Sequence, residues 1–285
     1  MVTNLAVPPE DGTLVRLGGT PPLRVYLTTL WRRREFALDM ARGELRAQHL
    51  DTALGNLWHL LNPLMLIGVY YLVFGVILGT DRGVENFIAF LAIGVFTFQF
   101  SQKSALSGAR TIVSNVGLIR SLQFPRALLP IATVARETLA YATAGAVMFA
   151  VVLVTREPIT PLWLFVVPAF ALQLGFNAGL ALFCARLSDK FRDMINVLPY
   201  LFRLAFYLSG VIYAVEAYID NPQVLRLFLV NPFYVFLSLP REYLMESQDH
   251  EFVGWMWLSA FAWAIVSLLV GLIVFRSGEK EYGRG

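Results

Sequence analysis

The chain has 285 residues, 57% of them apolar and only 15% charged, with a formal charge of +3 and a mean hydropathy of +0.60. That balance excludes an ordinary soluble domain of this length and predicts an integral membrane protein. The basic residues are scattered between apolar runs and form no stripe, which argues against a nucleic-acid partner and for the anionic inner leaflet as their counter-charge.

In chain order, the first 22 residues hold the turn-rich pairs Pro8-Pro9, Gly18-Gly19 and Pro21-Pro22 and no uninterrupted apolar core, so no cleavable signal peptide is expected. Residues 23–49 read as one basic amphipathic helix with Leu27, Trp31, Leu38, Ala41 and Leu45 on one face. Such a helix is expected to lie flat in the inner headgroup region, the alternative being a soluble helix packed on a partner. A cytoplasmic arm over residues 1–50 and a transmembrane domain over 51–285 follow. Six runs are long enough to cross a bilayer: 57–79, 86–108, 129–154, 161–184, 195–217 and 254–275. A seventh stretch, 222–246, is broken by Pro222, Pro232 and Pro240 and reads as a re-entrant hairpin between the fifth and sixth spans. The fold class expected is therefore all-α, with six spans, an interfacial helix and an outer hairpin whose tip lies at Asn231 and Pro232. By these boundaries sixteen of the 23 Lys and Arg fall on one side, which predicts both termini in the cytoplasm.

Absent motifs narrow the function. No phosphate-binding loop occurs, nor the dipeptide Gly-Lys, so the chain lacks the cradle and lysine of that ATPase fold. His49, His59, His250 and the lone Cys184 are too dispersed for a metal site, and no carboxylate pair suggests glycosyl or phosphoryl chemistry. Three ionisable side chains fall inside expected spans at depths that matter: Arg136 and Glu137 in the third, Arg203 in the fifth. Neighbours on a helix diverge by roughly 100°, so Glu137 is expected to pair across helices with Arg203, leaving Arg136 for a channel or a lipid phosphate.

The run Leu54-Gly55-Asn56-Leu57-Trp58-His59-Leu60-Leu61-Asn62-Pro63 resembles the L-G-x-L-W-x-x-L-x-P signature of polysaccharide ABC-exporter permeases of the O-antigen and teichoic-acid (Wzm-type) group. Further landmarks follow in order: FIAFLAIG at 87–94, Phe124-Pro125-Arg126, Leu129-Pro130, Arg192-Asp193, the stretch 209–213, and Asn231-Pro232. Phe96, near where many members carry Trp, and Gly210, where proline is common, depart from the pattern. The arginine-rich, aromatic character is similar to the actinobacterial branch, whose exporters handle cell-wall galactan. The resemblance implies a homodimer in the bacterial inner membrane, two copies of a separate nucleotide-binding subunit carrying ATP and Mg, and a polyprenyl-linked polysaccharide passing along the dimer interface. It implies no cofactor on this chain.

A glycan needs a lined conduit, because each unpaired hydroxyl in hydrocarbon costs about 2 to 7 kcal/mol. Tyr70, Tyr71, Phe74, Phe96, Phe98, Phe100, Phe202, Phe206 and Tyr207, with Arg136, are the candidates to line it. Coupling to the ATPase is expected at residues 48–55 (Gln48, Asp51, Gly55) and 186–193 (Asp189, Lys190, Arg192, Asp193). The outer gate is expected in 216–244, with Tyr213, Asn231 and Pro232 at its hinge and limbs at 225–230 and 233–239. A permease for a drug or small lipid, or a membrane enzyme of lipid-linked sugar assembly, are the alternatives.

Overall fold

The computed structural model describes residues 22–47, 58–79, 83–122, 124–219, 221–246, 253–279 and 281–282. Among them there are eleven α-helices and no strand. The amphipathic segment forms two helices rather than one, α1 (Leu23–Arg32) and α2 (Arg34–Ala47), with the break at Arg33. Hydroxyls of Thr28 and Thr29 bond back to the Val25 carbonyl at 3.0 and 2.7 Å just before it, a pattern that bends helices. The face that packs inward matches the one read in sequence only in part, at Ala41. Ala37 and Ala41 are buried, the former against Leu128 and Ala132 at the start of the third expected span, while Trp31 and Leu38 remain exposed.

The helix α3 (Trp58–Tyr70) contains Pro63 and runs on as a π-helical segment, Tyr71–Ile77. Next, α4 (Phe87–Ser114) has 28 residues and is about 42 Å long. It begins at Asn86, whose side chain accepts from the Ala89 N–H at 3.1 Å and donates to Glu157 at 2.7 Å, tying it to the loop after the third expected span. It is buried on nearly every side, which makes it the central post of the bundle. The short α5 (Val116–Ser121) leads to α6 (Leu128–Val154), and a 3₁₀ turn (Pro161–Phe165) opens α7 (Val166–Lys190).

Small residues set how closely α7 approaches its neighbours. A Cβ on Gly108 of α4 would sit 2.7 Å from that of Ala181, and one on Gly179 would overlap the backbone of Ser267 in α11 (Val253–Ser277). Ser267 also donates to the Phe176 carbonyl at 2.8 Å.

The fifth expected span is shorter than its sequence suggests. The helix α8 (Met194–Leu208) stops at Ser209, because Gly210 takes a φ of +63°, and the apolar stretch to 217 is irregular apart from a 3₁₀ turn. Its 15 residues reach about 22 Å, less than a hydrocarbon core of about 30 Å. After it come α9 (Pro222–Phe228) and α10 (Pro232–Leu244), separated at Asn231, whose side-chain oxygen caps α10 by accepting from Phe233 at 3.0 Å. The second of these packs into the core against α4, α7 and α11.

Three helical segments, Leu128–Val154, Pro161–Lys190 and Val253–Ser277, are long and apolar enough to cross a membrane, and Leu61–Ile77 and Met194–Leu208 are apolar but shorter. The length of α4 suffices, yet its middle carries Gln99, Gln102 and Lys103, of which Gln99 and Lys103 line a cleft.

Candidate functional site

Between α3, α4 and α6 lies a cleft of about 300 Å³, with rings of Trp58, Phe96 and Tyr141 on its walls and Gln99, Lys103, Arg136 and Glu137 among its polar groups. Arg136 is held from two directions. One guanidinium nitrogen donates to Glu44 of α2 and the other to Glu137, both at 2.7 Å, and Glu137 also accepts from Ser107 of α4 at 2.9 Å. The network therefore joins arm, post and third expected span. Glu137 is only 9% exposed. A buried carboxylate needs such a partner, since stripping its water costs several kcal/mol in the absence of one.

This corrects the expected pairing of Glu137 with Arg203. Adjacent Cβ atoms do diverge, but an arginine side chain is long enough to curl back to its neighbour's carboxylate. Arg203 instead sits on the exposed face of α8, its guanidinium 5.9 Å from the Tyr200 ring. That helix is sharply two-faced: Leu198, Phe202 and Phe206 are buried at four-residue intervals, while Tyr200, Leu204 and Tyr207 are exposed beside Arg203.

The nine candidate aromatics divide. Phe98 stands 5.3 Å from Phe206 and from Phe233, Phe202 is 5.8 Å from Phe233, and Tyr70 is 5.5 Å from Phe206, a ring cluster joining α3, α4, α8 and α10. Phe74, half-buried, lies 6.0 Å from Tyr70. Phe100 stacks on Tyr141 at 4.5 Å and Phe96 is buried beside the same cleft. Tyr71 and Tyr207 face outward, 39% and 48% exposed.

At the start of α10 one side chain does two jobs. Besides capping α10, Asn231 donates to Ser209 at 3.0 Å, at the end of α8. Tyr213 donates to the Tyr207 carbonyl at 3.0 Å across the same break, and Pro232 opens α10. Sequence reasoning missed the group that holds this junction. Arg241 is 2% exposed and donates to the carbonyls of Gly210 (2.8 Å), Val211 (2.7 Å) and Phe90 (3.1 Å), with its guanidinium 3.3 Å from the Phe90 ring centre. A Cβ on Gly94 would overlap it. Its sequence signal was an arginine, with Glu242 beside it, at the end of the apolar run 233–240, where a charge must find partners inside the protein. Also missed were Gln173 and Asn177 of α7, both buried, of which Gln173 donates to the Thr97 carbonyl of α4 at 2.9 Å.

Of the expected coupling residues, Gln48, Asp51 and Gly55 lie outside the described residues. Asp189 pairs with Arg186 at 3.2 Å, and Arg186 pairs with Glu281 at 2.6 Å, whereas Lys190, Arg192 and Asp193 are exposed on the α7–α8 turn. Beside them the segment after α11 folds back. Glu279 bonds to Tyr26 of α1 and to the Arg126 N–H, and Tyr282 is buried against Phe275. Burial raises the Glu279 carboxyl above its ordinary value, against the opposing pull of its bonds to Tyr26 and Arg126 and of the nearby Arg276 charge.

The sequence model of the ABC-2 type transporter family matches residues 40–245. Among curated relatives, an O-antigen export system permease protein RfbA of Klebsiella pneumoniae is 24% identical over 229 residues, covering 80% of this chain and 87% of that protein. The protein of the same description from Myxococcus xanthus is 26% identical over 256 residues, 89% of this chain and 96% of its own length. The polysialic acid transport protein KpsM of Escherichia coli is 26% identical over 243 residues, 83% and 91% of the two chains.

Proposed function

The chain belongs to the ABC-2 type transporter family, and from that premise we propose that it is the permease subunit of an exporter that moves a polyprenyl-linked polysaccharide outward across the bacterial inner membrane. Two copies pair, and two copies of a separate ATPase bind the cytoplasmic face through the α7–α8 turn and residues 48–55. Relatives named for O-antigen and polysialic acid support the cargo class.

The observation that carries the reading is the exposed face of α8. Arg203 lies midway along an apolar helix and points away from the bundle. A charge there costs about 2.5 to 3.5 kcal/mol against lipid, so this face fits a wet conduit shared by two copies. Tyr200 and Tyr207 flank the cation with rings and hydroxyls, the contacts that sugars accept.

Six crossings remain the topology favoured: α3, α4, α6, α7, α8 and α11, with α9 and α10 completing the depth that α8 leaves uncrossed. The contact of Tyr26 with Glu279 supports an even number, since it joins the segments before the first crossing and after the last on one side. The arm then rests on the cytoplasmic end of α6 through α2, and α10 serves as the outer gate.

Depletion of the protein is expected to make a lipid-linked glycan accumulate on the inner side. Arg203→Ala with Tyr207→Ala is expected to lower export at least tenfold while ATP hydrolysis by the complex persists. Accumulation of a small lipid or drug instead of a glycan would assign another cargo, and undiminished export by the double variant would remove α8 from the conduit.

A further inference from the structure

A groove of about 680 Å³ runs between α11 and the α9–α10 connection, away from the cleft and from the exposed face of α8. Its walls are apolar, chiefly Trp255, Leu258, Val230 and Val266, all well exposed, and a single cation, Arg226, stands at its rim. The backbone break beside it indicates the surrounding medium. Helix α9 ends here, leaving carbonyls without an intrahelical donor, and the Leu229 and Val230 carbonyls accept from Ser259 at 2.6 Å and from the Trp263 indole at 2.9 Å, both on α11. A break facing water needs no such partners, whereas one facing hydrocarbon requires them. The groove is thus built to face acyl chains.

Arg226 makes no ion pair with a carboxylate among the described residues. A lone cation at the end of an apolar, tryptophan-edged groove complements an amphiphile with an apolar tail and an anionic head. We propose that the groove is a binding site for a phospholipid with an anionic headgroup, its acyl chain along Leu258 and Val266 and its phosphate on Arg226. The bound lipid holds the α9–α10 connection against α11 and so steadies the segment that leads into α10. Its placement in the outer leaflet rests on the orientation proposed above, but the binding itself does not.

The full chain is reconstituted in nanodiscs containing equal amounts of phosphatidylglycerol and phosphatidylcholine with the same acyl chains, and the lipids retained are counted by native mass spectrometry. The wild type is expected to retain phosphatidylglycerol about fivefold over phosphatidylcholine, the ratio one cation near an anionic headgroup supplies. Arg226→Gln is expected to abolish the preference, Arg226→Lys to keep it, and Leu258→Trp, which fills the groove, to lower retention of both lipids. No preference in the wild type, or an equal preference in Arg226→Gln, would overturn the site. In a Cys184→Ser background, a disulfide between two copies through Leu258→Cys would overturn it too, by giving the groove to a second chain. Because lipid retention is read without ATP or cargo, this site can fail while export stands, and the reverse.

Discussion

Arg241 shows how a buried cation can be satisfied without a carboxylate. The carbonyls of Gly210 and Val211 lie just past the end of α8, in buried irregular backbone that offers them no helical partner, and a planar guanidinium with several donors reaches both as well as Phe90. Arg241→Met keeps the bulk and removes the donors. Each carbonyl left unpaired in the interior costs about 1 to 3 kcal/mol, so the variant is expected to lose roughly 3 kcal/mol and to unfold well below the wild type in a detergent melt. Lysine, with one point of charge, is expected to restore only part. A melt unchanged in Arg241→Met would mean that water, not arginine, satisfies the break. The residues that sequence reasoning misjudged share this dependence on tertiary approach. Depth and helical angle together point Glu137 to Arg203, but its actual partner, Arg136, is decided by where Glu44 and Ser107 converge.

At the level of elements, the apolar runs were legible because hydropathy and length record what must be buried or lie in lipid, and α6, α7 and α11 fall close to the ranges those runs predict. The end of α8 was not legible. Residues 209–217 are as apolar as a helix would be, and only the positive φ of Gly210, with Arg241 gathering its carbonyls, turns the chain aside. The division of the arm at Arg33 was hidden for a similar reason, since every residue around it tolerates a helix. The site is legible as residue types more than as geometry: tyrosines and arginines were found, but which face they occupy was decided by packing. Helix approach offers a sharp test. Gly179→Val must push α11 away from α7 and is expected to lower the amount of folded protein by at least tenfold, whereas Gly175→Ala, whose Cβ would meet only side chains at 3.5 and 3.7 Å, is expected to be nearly silent. Equal accumulation of both variants would show that the α7–α11 crossing can slide.

Across the whole molecule, the segment after α11 closes the structure by gripping α1, the turn before α6 and the end of α7 at once. Its carboxyl at Glu279 makes that grip sensitive to pH. A folded-state value raised above the ordinary 4.5 means that the docked segment holds the proton more tightly than the free one. The stabilisation from this group is complete below the ordinary value and is lost as pH rises through the raised one. Hydrogen exchange in α1 and around residue 282 is therefore expected to be slower at pH 5 than at pH 8, after correction for intrinsic rates. Glu279→Gln is expected to flatten the difference, and an identical slope in that variant would place the titration elsewhere. The same contact dictates an order of events during biogenesis. Tyr26 leaves the ribosome first and Glu279 and Tyr282 after every membrane helix, so the arm cannot complete its docking while the chain is still being inserted. Translation thus leaves α1 incompletely docked until the whole bundle is in the bilayer, and a chain that stalls before its last helix presents an unsealed arm to the quality-control machinery.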